Sequence, residues 1–208
     1  MKMRRIAVLG GILLVLLTLA LFPVLDAMGL FGRSAEDLGS ARARVRVTEL
    51  SQGAIQYFIE SGNRWYPAQT DPSRIGSGEG QLTGAQVLAI ELFFIGTSRE
   101  DVPDTRYCSC NERALMDADG RYPVLSDLWA EGPMPVLYYP ARRGYEDMEQ
   151  YVYEDNRAHT HGHEGGDFRE FIRDARSHEP IPHNAGSFLL IAPGIDRMYF
   201  TKDDITNW

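Results

Sequence analysis

Three carboxylates stand around the last pair of apolar runs in "FLLIAPGIDRMYFTKDDITNW": Asp196 follows the Pro193-Gly194 turn dipeptide, and Asp203 and Asp204 are adjacent near the end. Carboxylates gathered at a turn suit a hard cation, which takes oxygen ligands. They suit a plain solvated turn equally well, with Asp196 closing the bend and Asp203 or Asp204 capping the terminal segment through backbone N–H groups. A second candidate is "HTHGHEGGD", residues 159–167. Alternate side chains of an extended segment point the same way, so His159, His161 and His163 could share a transition metal, with Glu164 or Asp167 nearby. An exposed polar loop accounts for the same letters. For Cys108 and Cys110 in "YCSC", a strained bridge, two thiols and a zinc site shared with the histidines are all open.

Catalysis has no comparable support. The sequence holds no G-x-S-x-G, H-E-x-x-H or phosphate-loop pattern. Glu146 with Asp147, or Asp101 with Asp104, are neighbours in sequence, which says nothing of a shared cleft. "THGHEGG" is superficially similar to the T-H-x-H-x-D-H motif of metallo-β-lactamase-like hydrolases, but Gly165 stands where that motif needs its aspartate. The expectation is therefore a protein that is not an enzyme. The alternative is an extracytoplasmic metal-binding protein or metal-dependent enzyme built on His159, His161 and His163.

The elements that must carry these groups begin at the N-terminus. Lys2, Arg4 and Arg5 precede residues 6–25, "IAVLGGILLVLLTLALFPVL", which hold no charge. About 20 apolar residues at ~1.5 Å rise cross a hydrocarbon core of ~30 Å, so this run matches one helical span. A secretory signal has a shorter apolar region of about 7 to 15 residues and a small-x-small cleavage site. An uncleaved anchor is the expectation and a cleaved signal the alternative. Basic residues before the span put residues 1–5 in the cytoplasm and the rest beyond a single-pass span, residues 6–28, of the cytoplasmic (inner) membrane.

Residues 34–61 read as an amphipathic helix. Ser34 is a cap, and Leu38, Ala41, Val45, Ala54, Ile55, Phe58 and Ile59 form one apolar stripe for one partner surface. Arg42, Arg46, Glu49 and Gln52 form the solvated face. "TGAQVLAIELFFIG" reads as a buried helix with a capping box from Thr83 to Gln86. Short strands follow at Val136 to Tyr139, in "YVYED", and in the closing hairpin of "FLLIA" and "RMYF", with a short helix in "GDFREFIRDARS". Helices first and short strands afterwards give an α+β head, residues 62–208, in which the stalk helix lies on a small antiparallel sheet. With 208 residues, 44% hydrophobic and 24% charged, there is room for one such head. A net charge of −8 and only two lysines, Lys2 and Lys202, argue against nucleic acid.

The order of these features carries a resemblance. An apolar span, an amphipathic helix ending near Gly62-Asn63-Arg64-Trp65-Tyr66-Pro67, then "DLWAEGPMPVLYYP" and a final "GIDRMYFTKDDITNW", resembles the type IV pilin and type II secretion pseudopilin family, above all the major pseudopilin. The matching family patterns are "NGRYP", "DPWGNPYxY" and "SAGPDGxxGTDDDITNW". They cover both ends and one central segment and leave residues 97–126 and 141–186 unmatched. The family's leader followed by "FTLxE" is absent from "MKMRRIAVLGG". The resemblance implies a pilin-like head and a structural role in a type II secretion or type IV pilus-like assembly. Its partners would be like subunits or assembly proteins, reached through the span and stalk. It also implies calcium in the last loop, held by Asp196, Thr201, Asp203 and Asp204 with backbone carbonyls. Arg197 and Phe200, which resist positive φ, stand where the family has glycines, and Lys202 where another acid is common.

Overall fold

The long helix of the chain tests the expected stripe first. In the computed structural model, which describes residues 30–60, 65–69, 71–93, 107–108, 115–117, 122–129, 132–160, 162 and 165–208, helix α1 spans Leu30–Glu60. The chain divides into two compact units, Met1–Leu38 and Gly39–Trp208. Of the first unit only the opening turns of α1 are described; the expected cytoplasmic segment 1–5 and span 6–28 lie outside the described residues. Among the described residues no helix is long and apolar enough to cross a membrane.

In the second unit α1 buries Ala43, Val47, Leu50 and Ala54, at helical spacing, in the head's core. The expected stripe is corrected on this point: of its members Ala54 is buried and Phe58 half-buried, while Leu38, Ala41, Val45, Ile55 and Ile59 are exposed. Residues two apart on a helix stand about 200° apart, so Val47 turns inward and Val45 outward. The inward face is the one with small residues. A Cβ on Gly39 would meet the Trp129 ring at 2.6 Å, and one on Gly53 would collide with the Cys108 sulfur. Arg46, expected on the solvated face, is 1% exposed, with its guanidinium 5.8 Å from the centre of the Phe93 ring.

Helix α2, Gly84–Phe93, begins with the expected capping box: the Gln86 N–H donates to Thr83 Oγ1 at 3.3 Å and the Thr83 N–H to Gln86 Oε1 at 2.9 Å. Every residue but Glu91 is buried, because α2 packs on β2 and β3. Buried Asn156 ties this helix to the sheet, its amide oxygen accepting from the Ala85 N–H at 2.9 Å and its NH2 donating to the Tyr138 carbonyl at 2.8 Å.

Strands β1, Leu115–Asp117, and β2, Pro123–Leu125, form one antiparallel pair. Strands β3, Leu137–Pro140, β4, Phe188–Ala192, and β5, Ile205–Thr206, form an antiparallel sheet in the order β3-β4-β5, with Tyr139 opposite Leu189 and Ala192 opposite Ile205. Alternation divides this sheet between two cores. Tyr138, Phe188, Leu190 and Ala192 meet α1 and α2; Leu137, Tyr139, Leu189 and Ile191 meet Phe168 and Ile172 of α3, Gly165–Ile172. Both faces are covered, which is why "FLLIA" is an unbroken apolar run.

Two expected strands are not strands. "YVYED" forms a 3-10 turn at Tyr153–Asp155. "RMYF" lies in the loop between β4 and β5, where Arg197 and Phe200 both take positive φ, 59° and 64°, and interrupt the extended chain. The last strand is the Ile205-Thr206 pair of "DDITNW".

Candidate cation-binding loop

The loop of residues 193–204 leaves β4 through Pro193-Gly194, and a Cβ on Gly194 would collide with the Asp203 carboxylate and backbone oxygen. Glycine therefore lets the two ends of the loop close on each other. Within it Asp196 Oδ1 accepts the Met198 N–H at 2.9 Å and Asp203 Oδ2 the Asp196 N–H at 3.1 Å. Asp204 Oδ2 accepts the Phe200 N–H at 2.7 Å. The Thr201 hydroxyl lies 2.8 Å from Asp203 Oδ1 and 3.2 Å from Asp204 Oδ1, bridging the two acids. The structure thus brings together all four residues expected here, with one oxygen of each carboxylate within 4.8 Å of the others.

Their protonation differs with their surroundings. Burial pushes the Asp204 carboxyl up to about 7, against the opposing hydrogen bonds from the Phe200 N–H and the Thr201 hydroxyl. Burial acts on Asp203 in the same direction, but the Thr201 hydroxyl and the N–H groups of Asp196 and Ile195 outweigh it and hold the group below its ordinary value. Oxygens bound at about 2.3 to 2.6 Å on opposite sides of a hard cation stand about 5 Å apart, so three carboxylate oxygens within 4.8 Å of one another could share such an ion.

The positive φ angles are the finding that sequence reasoning missed, because Arg197 and Phe200 are types that resist them. Neighbouring contacts hold both. Arg197 Nη1 donates to Asp127 Oδ2 at 2.6 Å and Nη2 to the Gly132 carbonyl at 2.7 Å, with the guanidinium 4.8 Å from the centre of the Trp129 ring. Asp127 is fully buried, and its Oδ1 also accepts the N–H groups of Trp129 and Met134, each at 3.2 Å. Phe200 packs against Phe168 at 5.4 Å and Phe171 at 5.8 Å between ring centres. The partners of this ion pair are 70 residues apart, and "DLW" carries no local signal of a distant arginine.

The histidine candidate separates from this site. His159 Nε2 lies 2.9 Å from Thr83 Oγ1, beside the start of α2, while His161, His163 and Glu164 lie outside the described residues and Asp167 is exposed on α3. Among the described residues Asp196, Asp203 and Asp204 are the one group of acids, histidines and cysteines close enough to share an ion. Cys108 is buried, its thiol directed to the Glu49 carbonyl at 3.3 Å; Cys110 lies outside the described residues.

Comparison with known proteins gives no neighbour: no family model, no curated protein and no solved structure matches the chain.

Proposed function

We propose that the chain is a membrane-anchored, pilin-like structural protein of a type II secretion or type IV pilus-like assembly. In this reading residues 6–28 anchor it, the head is extracytoplasmic, its role is not catalytic, and its partners are like subunits or assembly proteins. The observation that carries the reading is the second apolar face of α1. One face is committed to the head through Ala43, Val47, Leu50 and Ala54, while Val45, Ile55 and Ile59 stand 58%, 44% and 64% exposed on another. An apolar helical stripe left open to water marks a contact surface, and a lengthwise stripe suits packing against a parallel helix. The test places a photocrosslinking residue at Val45 or Ile59 in membranes of expressing cells. Ladders of crosslinked chains are expected, lost in Val45→Asp with Ile59→Asp while the head's melting temperature is unchanged; no crosslinked species at either position would sink the reading.

Calcium belongs to the same proposal, with Asp196, Thr201, Asp203 and Asp204 as ligands. When bound, the ion would supply positive charge that favours the ionised form of half-buried Asp204. The chain's own hydrogen bonds already shape the loop, so calcium should raise stability rather than create the fold. The melting temperature should rise with millimolar calcium in the native chain and not in Asp203→Ala; equal response of the two removes calcium from the proposal.

A further inference from the structure

Apart from the C-terminal loop, the head carries a cleft of about 750 Å³ between the turns of residues 145–157 and α3. We propose that this cleft binds a neutral oligosaccharide strand. Its volume lies within the ~300 to 1,000 Å³ usual for ligand sites. Its floor is apolar: Phe168 is fully buried and packs on Tyr153 with ring centres 6.1 Å apart. Tyr145, 52% exposed, lines it and is the one exposed residue among the phenylalanines, tyrosines and tryptophans whose side chains are described. An aromatic face held in water at the edge of a cleft is a platform for the C–H face of a pyranose ring, whose hydrogens meet the electron-rich side of the tyrosine.

The charges select among ligands. Glu149 and Glu154 are balanced by Arg157 and Arg169, so the described residues that line the cleft carry no net formal charge and favour neither a polyanion nor a polycation. Planar carboxylates accept hydroxyl protons and planar guanidinium groups donate to hydroxyl oxygens, often in pairs, which matches neighbouring hydroxyls on a sugar. The one ion pair among them, Arg157 Nη1 to Glu154 Oε2 at 3.4 Å, is exposed by 63% and 45%. Exposed pairs of this kind hold weakly, so their groups exchange partners at little cost. A peptide adding itself as a strand is disfavoured, because 3-10 turns at Asp147–Gln150, Tyr153–Asp155 and Arg157–His159 present no open strand edge here.

The site shares no residue with the exposed face of α1 or with the carboxylate loop, so it stands independently of the assembly reading. The test is saturation-transfer NMR and calorimetry on the full-length chain, kept free of glycoside detergents, with cellohexaose, maltohexaose and the hexamer of N-acetylglucosamine as probes. At least one probe should receive saturation and bind measurably. Tyr145→Ala should weaken that binding roughly tenfold while Tyr145→Phe retains it. Both variants should melt with the native chain, because the ring is exposed. No transfer to any of the three probes, or binding unaffected by Tyr145→Ala, overturns the proposal.

Discussion

The ion pair of Arg197 with Asp127 offers a stability test in which two effects can be separated. Arg197→Ala removes the guanidinium from fully buried Asp127, leaving its carboxylate with the N–H groups of Trp129 and Met134, and it keeps a Cβ in a backbone at φ 59°. Removing one partner of a buried pair costs about 3 to 5 kcal/mol, and because Arg197 itself is 23% exposed the lower figure applies. Arg197→Gly makes the same electrostatic deletion but relieves the left-handed backbone, worth about 1 kcal/mol over alanine at such a position. In a unit of this size 1 kcal/mol corresponds to roughly 2 to 4 °C. Arg197→Ala should therefore melt about 6 to 12 °C below the native chain, and Arg197→Gly about 2 to 4 °C above Arg197→Ala, by circular dichroism in chelator at pH 7. If glycine proves no better than alanine, the backbone strain is not there; if alanine costs under about 1 kcal/mol, Asp127 does not depend on the pair.

Asp204 and Asp155 set a pH dependence of definite sign. Both unfolded carboxyls titrate near the ordinary 3.8, whereas burial raises the folded groups to about 7 and about 6, in Asp155 even with Arg142 at 2.6 Å. Between those values the folded state holds protons that the unfolded state has released, so stability contributed by these groups falls as pH rises from about 4 to 7. Melts in chelator should show that slope, Asp204→Asn should flatten it, and calcium should reverse part of it; a slope of opposite sign would falsify the assignment. Asn156→Ala removes the amide that satisfies both the Ala85 N–H and the Tyr138 carbonyl and should cost about 2 to 3 kcal/mol in urea unfolding. A loss below about 0.5 kcal/mol would show that those backbone groups find other partners.

Local signals were the legible ones. The capping box of Thr83 and Gln86 depends on residues three apart, and the structure has both of its bonds. The α+β arrangement follows from apolar runs: β4 falls on "FLLIA", and β3, Leu137–Pro140, overlaps the expected Val136 to Tyr139 but runs on into Pro140. What periodicity could not choose was the face of α1, because apolar residues occupy two of its sides and the tertiary packing, with Trp129 on Gly39 and Cys108 on Gly53, selects one. The strand expected at "RMYF" is absent for a related reason. Its aromatics are apolar to cover the sheet rather than to extend it: Tyr199 is 2% exposed with its hydroxyl on the Pro135 carbonyl at 2.7 Å, and Phe200 packs on Phe168. The four expected loop ligands do converge, but the long-range contacts that hold their backbone have no local pattern.

Those contacts change the meaning of the two residues that stand where the resembled family has glycine. Glycine at Arg197 and Phe200 would reach positive φ freely and leave the loop's shape to be imposed by a ligand. Here each residue pays for its backbone with its own side chain, Arg197 through Asp127 and Phe200 through the aromatic cluster and its N–H bond to Asp204. The loop is thereby shaped before any cation arrives, and Asp204, which burial holds partly protonated near neutral pH, has to give up its proton to bind one. An ion would then compete with a proton rather than with disorder. Affinity should rise with pH through about 7, where a loop folded by its ion would instead gain most of its order on binding.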